Sequence, residues 1–144
     1  MQFFQSTFPF IILSAFTPVV LLLLRILLAI IFVDSGRRHI ADPKGRGKEL
    51  GLSAILTFTL GASEVVAGTL VFIGLWIHIA TLILMIVMLG AMYFKIFIWK
   101  TGIYGDNNNG WYYDALLFAD AGILSAIGAG PISIAWFLHI STTI

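Results

Sequence analysis

Apolar residues run through this chain in four long blocks, separated by short polar breaks. The blocks cover residues 18–36, 52–72, 77–98 and 111–127, each near the roughly 20 residues that a helix needs to cross a ~30 Å hydrocarbon layer. Thr17 precedes the first block as an N-cap, with Pro18 at the first helical position, where a missing N–H costs nothing. Ahead of it, Phe3, Phe4, Phe8, Phe10 and Phe16 form an aromatic arm, too short to span separately and suited to the membrane interface. Gly74-Leu75-Trp76 makes a tight turn between the second and third blocks, and Gly128-Ala129-Gly130-Pro131 stops the fourth. Residues 132–144 are apolar but short, as an interfacial or partner-docked tail would be. The pattern predicts one all-α membrane domain over residues 1–144: a four-transmembrane-helix bundle with an interfacial N-terminal arm and a short C-terminal tail.

Composition agrees with this. The chain is 60% hydrophobic and 10% charged, with a mean hydropathy of +1.02, whereas soluble domains run nearer 45–50% apolar and about 25% charged. There is no Cys, so disulfides, thiolate metal sites and thiol catalysis are excluded. A net charge of +1 makes no electrostatic case for nucleic acid. The opening Met1-Gln2-Phe3-Phe4-Gln5 has no basic residue ahead of the apolar run, so that run is expected to be retained rather than cleaved as a signal peptide.

The breaks set an orientation. Arg37, Arg38, Lys44, Arg46 and Lys48 lie between the first two blocks, Lys100 lies between the last two, and Lys95 is near the same edge. In a four-span chain these loops share a side and the opposite side has no Lys or Arg, so the positive-inside rule places both basic loops in the cytoplasm and both termini outside. Trp99, Tyr104, Trp111, Tyr112 and Tyr113 gather at the third loop, with Trp76 at the other boundary. They read first as aromatic belts; the alternative is a ring-binding mouth formed by Trp111, Tyr112 and Tyr113.

Charges inside the blocks are the candidate chemistry, because ionisable groups in hydrocarbon survive by facing inward, pairing or serving a function. At about 1.5 Å per residue, Arg25 falls roughly 17 Å from the cytoplasmic end of its span, Glu64 roughly 18–20 Å along the second and Asp120 roughly 14 Å along the fourth. Asp34, Lys95 and Asp114 fall roughly 3–6 Å inside the cytoplasmic edge. Two ionic layers are therefore expected, each with one cation and two anions. In the middle layer Arg25 would hold the carboxylates, and Glu64 would be the proton-exchanging group or would hydrogen-bond a quinone carbonyl. The plainer reading makes both layers buried salt bridges that fix helix register. Gly61, Glu64 and Gly68 share a small-residue stripe on the second span, and Ala115, Ala119, Gly122 and Ala126 form a similar one on the fourth, with Asp120 beside it.

Other motifs fail on spacing. Asp106-Asn107-Asn108-Asn109-Gly110 has Trp111 and Leu117 where a calcium loop needs Gly and Glu. His39, His78 and His139 show no helical ligand spacing, so no metal is expected. Phosphate-cradling loops and nucleophile elbows are absent as well.

Over roughly residues 21–133 the chain resembles the DoxX family of small four-helix membrane proteins. The matching features are Leu24-Arg25-Ile26, Gly36, Glu64-Val65-Val66-Ala67-Gly68, Gly74 and Gly128-Ala129-Gly130-Pro131-Ile132-Ser133. Two features depart from the family pattern: Arg37-Arg38-His39 replaces a lone Lys, and Ile134-Ala135 stands where an acidic residue often follows the terminal Ser. Members are associated with membrane oxidoreductase complexes, including thiosulfate:quinone oxidoreductase and terminal quinol oxidase assemblies. The resemblance implies a non-catalytic, multi-pass subunit of a respiratory, quinone-linked complex in a prokaryotic inner membrane, with lipid and other membrane subunits as partners. Nothing in the spacing itself shows redox chemistry. The chain has no ligands for a redox metal, so electrons would come from a partner or a bound quinone. Two other classes stay open: a small-solute or ion carrier acting as a homo-oligomer, and a purely structural assembly subunit.

Overall fold

The structure is a computed structural model that describes residues 3–105 and 110–138, with side chains described from residue 15 onward. Every regular element among the described residues is helical: α1 (Phe3–Ala41), α2 (Pro43–Leu50), α3 (Ala54–Ile73), α4 (Ile77–Tyr93) with a π-helical turn at Phe94–Ile98, α5 (Tyr112–Ile127) and the short α6 (Ile134–Phe137).

The first boundary differs from the expected one. Thr17 and Pro18 lie inside α1, which continues the arm without a break. Proline's fixed φ is compatible with a helix, and lipid offers the backbone no competing partner, so the helix tolerates one lost N–H. At 39 residues α1 is about 58 Å long, nearly twice the hydrocarbon thickness. Its apolar span is Ala15–Ala41, and Ala54–Ile73 and Ile77–Ile98 are the other two helices long and apolar enough to cross a membrane. The fourth expected span, α5, has 16 residues and reaches only about 24 Å.

The first basic break is not a loop. α1 runs through Arg37-Arg38-His39, and residues 43–50 then form α2. Asp42 caps it by accepting from Gly45 N–H at 2.9 Å, Pro43 stands in its first turn, and left-handed Gly51 closes it. Ser53 caps α3 in the same way.

Each long helix buries one stripe. Leu21, Arg25, Leu28, Phe32 and Gly36 recur every three or four residues on α1, matched by Thr57, Gly61, Glu64, Gly68 and Val71 on α3. The stripes face each other, and α1 against α3 is the largest helix pairing, followed by α4 against α5. The approach is close because it is glycine to glycine: a Cβ on Gly61 would lie 2.6 Å from His39 Cβ and 2.7 Å from the Gly36 carbonyl. On α5 the packed face is Asp114, Leu117, Ala121 and Leu124. The Ala115, Ala119, Gly122 and Ala126 stripe instead lies on its half-exposed and exposed sides. Large exposed apolar residues such as Leu27, Ile30, Ile55, Leu82 and Ile86 cover the outside, as hydrocarbon contact demands.

Candidate functional site

The expected middle layer does not form as an ion cluster. Arg25, 2% exposed, gives its guanidinium to backbone carbonyls: Nε to Val71 at 2.9 Å, Nη2 to Phe72 at 2.5 Å, and Nη1 to Ala129 at 3.1 Å and Ile132 at 2.6 Å. Val71 and Phe72 end α3, where carbonyls lack helical partners and the helix dipole is negative. Ala129 and Ile132 lie in the turn after α5. Four hydrogen bonds from the guanidinium thus tie α1 to the end of α3 and to the turn after α5, a structural clamp at the end opposite the basic residues. Left-handed Gly74 makes room for it, since a Cβ there would meet Nη2 at 2.6 Å.

Glu64 pairs with His39. Nδ1 of His39 lies 3.1 Å from Glu64 Oε2, and the two side chains are 14% and 4% exposed. Sequence reasoning missed His39 because the block of Arg37 and Arg38 read as loop. The usable signal was its spacing: three residues beyond Gly36, it continues the buried stripe of α1 on the face that meets Gly61.

Asp120 joins neither pair. It is half-buried on α5, and its Oδ1 is enclosed without a hydrogen-bond partner. Of the edge layer, Lys95 and Asp114 come together: Nζ lies 2.7 Å from Oδ2, out of line for a hydrogen bond, so the attraction is chiefly Coulombic. Nζ also sits 3.5 Å from the Gly110 carbonyl. Asp34 does not join them and instead pairs with Arg38 at 2.6 Å on the exposed face of α1.

Two cavities meet at these pairs. An apolar one of about 420 Å³ lies among Leu52, Leu60, Ile86, Gly90, Phe94 and Trp99, with Glu64 and Lys95 in its wall. A vestibule of mixed character, about 470 Å³, is edged by Asp34, Arg38, Arg46 and Tyr113, with Ile31, Phe32 and Leu117 along its apolar side. Ser35, His39, Met88 and Asp114 line both, so these side chains border each cavity. The π-helical turn builds one wall of the apolar cavity. Its wide Trp99 N–H to Phe94 carbonyl bond, 2.8 Å, sets Phe94, Lys95 and Trp99 around the space, and Thr101 ties off the Lys95 carbonyl. Such turns recur at functional sites. A π-turn is invisible to hydropathy, which explains why Trp99 read only as belt.

The proposed mouth is divided. Tyr113 reaches the vestibule, while Tyr112 stacks on Tyr104 at a centroid distance of 5.6 Å, and Trp111 precedes α5. His78 Nδ1 lies 2.8 Å from the Ser125 carbonyl. Among the described residues no group of three His, Cys, Asp or Glu side chains is placed to hold a metal. His139, residues 106–109 of the polar turn and the end of the tail lie outside the described residues.

The DoxX family model matches residues 20–97, which takes in α3, α4, most of α1, and with them Arg25, His39, Glu64 and Lys95. The chain belongs to the DoxX family. The match stops just before Trp99, so the α5 side of the cavity, including Asp114, lies beyond the matched DoxX region. Searches among curated proteins and among solved structures each returned no match. Family membership and the three long apolar helices together make this a multi-pass membrane protein.

Proposed function

We propose that this chain is an integral membrane subunit of a quinone-linked oxidoreductase complex, and that its quinone-facing centre is the apolar cavity at the basic end. The observation that carries this is the convergence of the His39–Glu64 and Lys95–Asp114 pairs, contributed by four different helical segments, on an apolar space walled by Phe94 and Trp99. Small-molecule sites have that composition: mostly apolar walls with a few placed polar groups. The volume, about 420 Å³, suits one aromatic head group with its substituents. Ionisable residues facing the interior of a membrane domain mark substrate, ion and proton paths.

In this reading α5 is a fourth, short span, both termini lie outside, and the basic end faces the cytoplasm of a prokaryotic cell. A partner subunit supplies electrons in this reading, and this one binds, orients and exchanges protons. Arg25 holds the opposite end of the bundle shut and takes no part in the chemistry.

Purification from native membranes in mild detergent, with mass spectrometry of co-purifying subunits and lipids, tests this. Stoichiometric redox subunits and a retained quinone are expected. A homo-oligomer free of both would replace this reading with a carrier, and redox subunits without quinone would leave a structural assembly role.

A further inference from the structure

The two cavities differ in kind, and the group that stands between them can change its charge. The apolar cavity has lipid-facing Ile86, 61% exposed, on its rim, while the vestibule has exposed Asp34 and Arg38 on its own. The vestibule too has an exposed apolar residue, Ile30, at its edge, and what sets it apart is the exposed charges of Asp34 and Arg38, which draw water to that side. His39 lines both.

The Glu64 bond decides what His39 offers. With Glu64 as a carboxylate, which only accepts, the 3.1 Å bond places the proton on Nδ1 in either charge state of the ring. All variation then falls on Nε2. In the imidazolium Nε2–H is a donor, and in the neutral ring Nε2 is a bare acceptor. A ring oxygen in the apolar cavity is attracted to the first and repelled by the second. The other charges around His39 are Asp34 and Arg38 on α1, Arg46 on α2, Lys95 on the π-turn and Asp114 with Tyr113 on α5. Arg38 is paired with Asp34, Arg46 with Glu49 at 2.9 Å, and Lys95 with Asp114. Among the described residues of this cluster His39 is the one imidazole.

We propose that His39 is a protonation-controlled hydrogen-bond donor to a p-quinone ring oxygen in the apolar cavity, its proton exchanging with vestibule water. This rests on the quinone reading above and adds to it a gating group and the side from which protons arrive. Glu64 acts as a positioning residue that fixes the tautomer.

The test is titration of the full-length protein in nanodiscs with a decyl-chain benzoquinone, read as quenching of tryptophan fluorescence. Trp99→Phe, which should lose most of the signal, serves as the control for location. Affinity should weaken roughly tenfold from about pH 5.5 to about pH 8.5, the worth of one charge-assisted hydrogen bond. His39→Gln, whose amide N–H donates at every pH, should bind with no pH dependence. Glu64→Gln, whose amide can accept from Nδ1 or donate to it, no longer fixes the tautomer and should flatten the pH slope. A pH-independent parent, or a slope that persists in His39→Gln, overturns the role of His39 and leaves the quinone reading standing. No quenching at any pH overturns both. If quinone binds with the expected slope but native purification yields no redox partner, the complex is refuted and the His39 site stands.

Discussion

Replacing Arg25 separates a structural clamp from a catalytic charge. In Arg25→Met the apolar stem is kept and the guanidinium is lost. Val71 keeps a second donor, since Gly74 N–H reaches its carbonyl at 3.1 Å, but Phe72, Ala129 and Ile132 each lose the donor that Arg25 supplies. At about 1–1.5 kcal/mol per orphaned carbonyl, the loss comes to roughly 3–5 kcal/mol. Relief from burying an unpaired cation offsets part of this, so a net destabilisation of about 3 kcal/mol is expected, a large fraction of a typical 5–15 kcal/mol stability. Arg25→Lys should fall between, because one ammonium cannot span four carbonyls on two segments as the planar fork does. The assay is reversible unfolding in mixed micelles by dodecyl sulfate, followed by circular dichroism. Quinone affinity of the folded fraction should be unchanged. Arg25→Met within about 0.5 kcal/mol of the parent, or a folded variant that no longer binds quinone, refutes the clamp.

Other outcomes follow from the packing. Gly61→Val should force α1 away from α3 and lower the unfolding free energy by about 1–3 kcal/mol, whereas Gly90→Ala, whose new methyl meets nothing within 4 Å, should stabilise the helix by roughly 0.5–1 kcal/mol in the same assay. Lys95→Met strands Asp114 in a site where it is 8% exposed and should cost roughly 3 kcal/mol. Adding Asp114→Leu should recover most of that loss, as a double-mutant cycle on unfolding free energies will read.

Hydropathy located the helices because lipid and core both demand apolar side chains. It set the end of the third span at Ile98, yet it broke α1 at Pro18 and stopped it at Gly36, since the polar end of a helix carries no apolar signal. Depth counting put Lys95 and Asp114 in one layer with Asp34, and the first two lie within 2.7 Å of each other, near element ends that loops define well. It failed for Arg25 because the partners of that residue are main-chain carbonyls at a helix end, which no side-chain pattern displays. It failed for Asp34 because a neighbour one turn away, Arg38, was nearer than any other helix. Glu64 was singled out correctly as buried among small residues, but its partner could be found only by extending the Gly36 stripe one turn further to His39.

The most direct measurement is the quinone content of the protein purified from native membranes, beside that of Gly90→Phe. Gly90 borders the apolar cavity and has open space where its side chain would grow, so a phenyl ring there is expected to crowd the cavity mouth without displacing helix backbone. The parent should carry near-stoichiometric quinone, and Gly90→Phe should carry almost none while unfolding at the same dodecyl sulfate fraction. Equal quinone in both, or none in the parent, would contradict a quinone site beside His39 and Glu64.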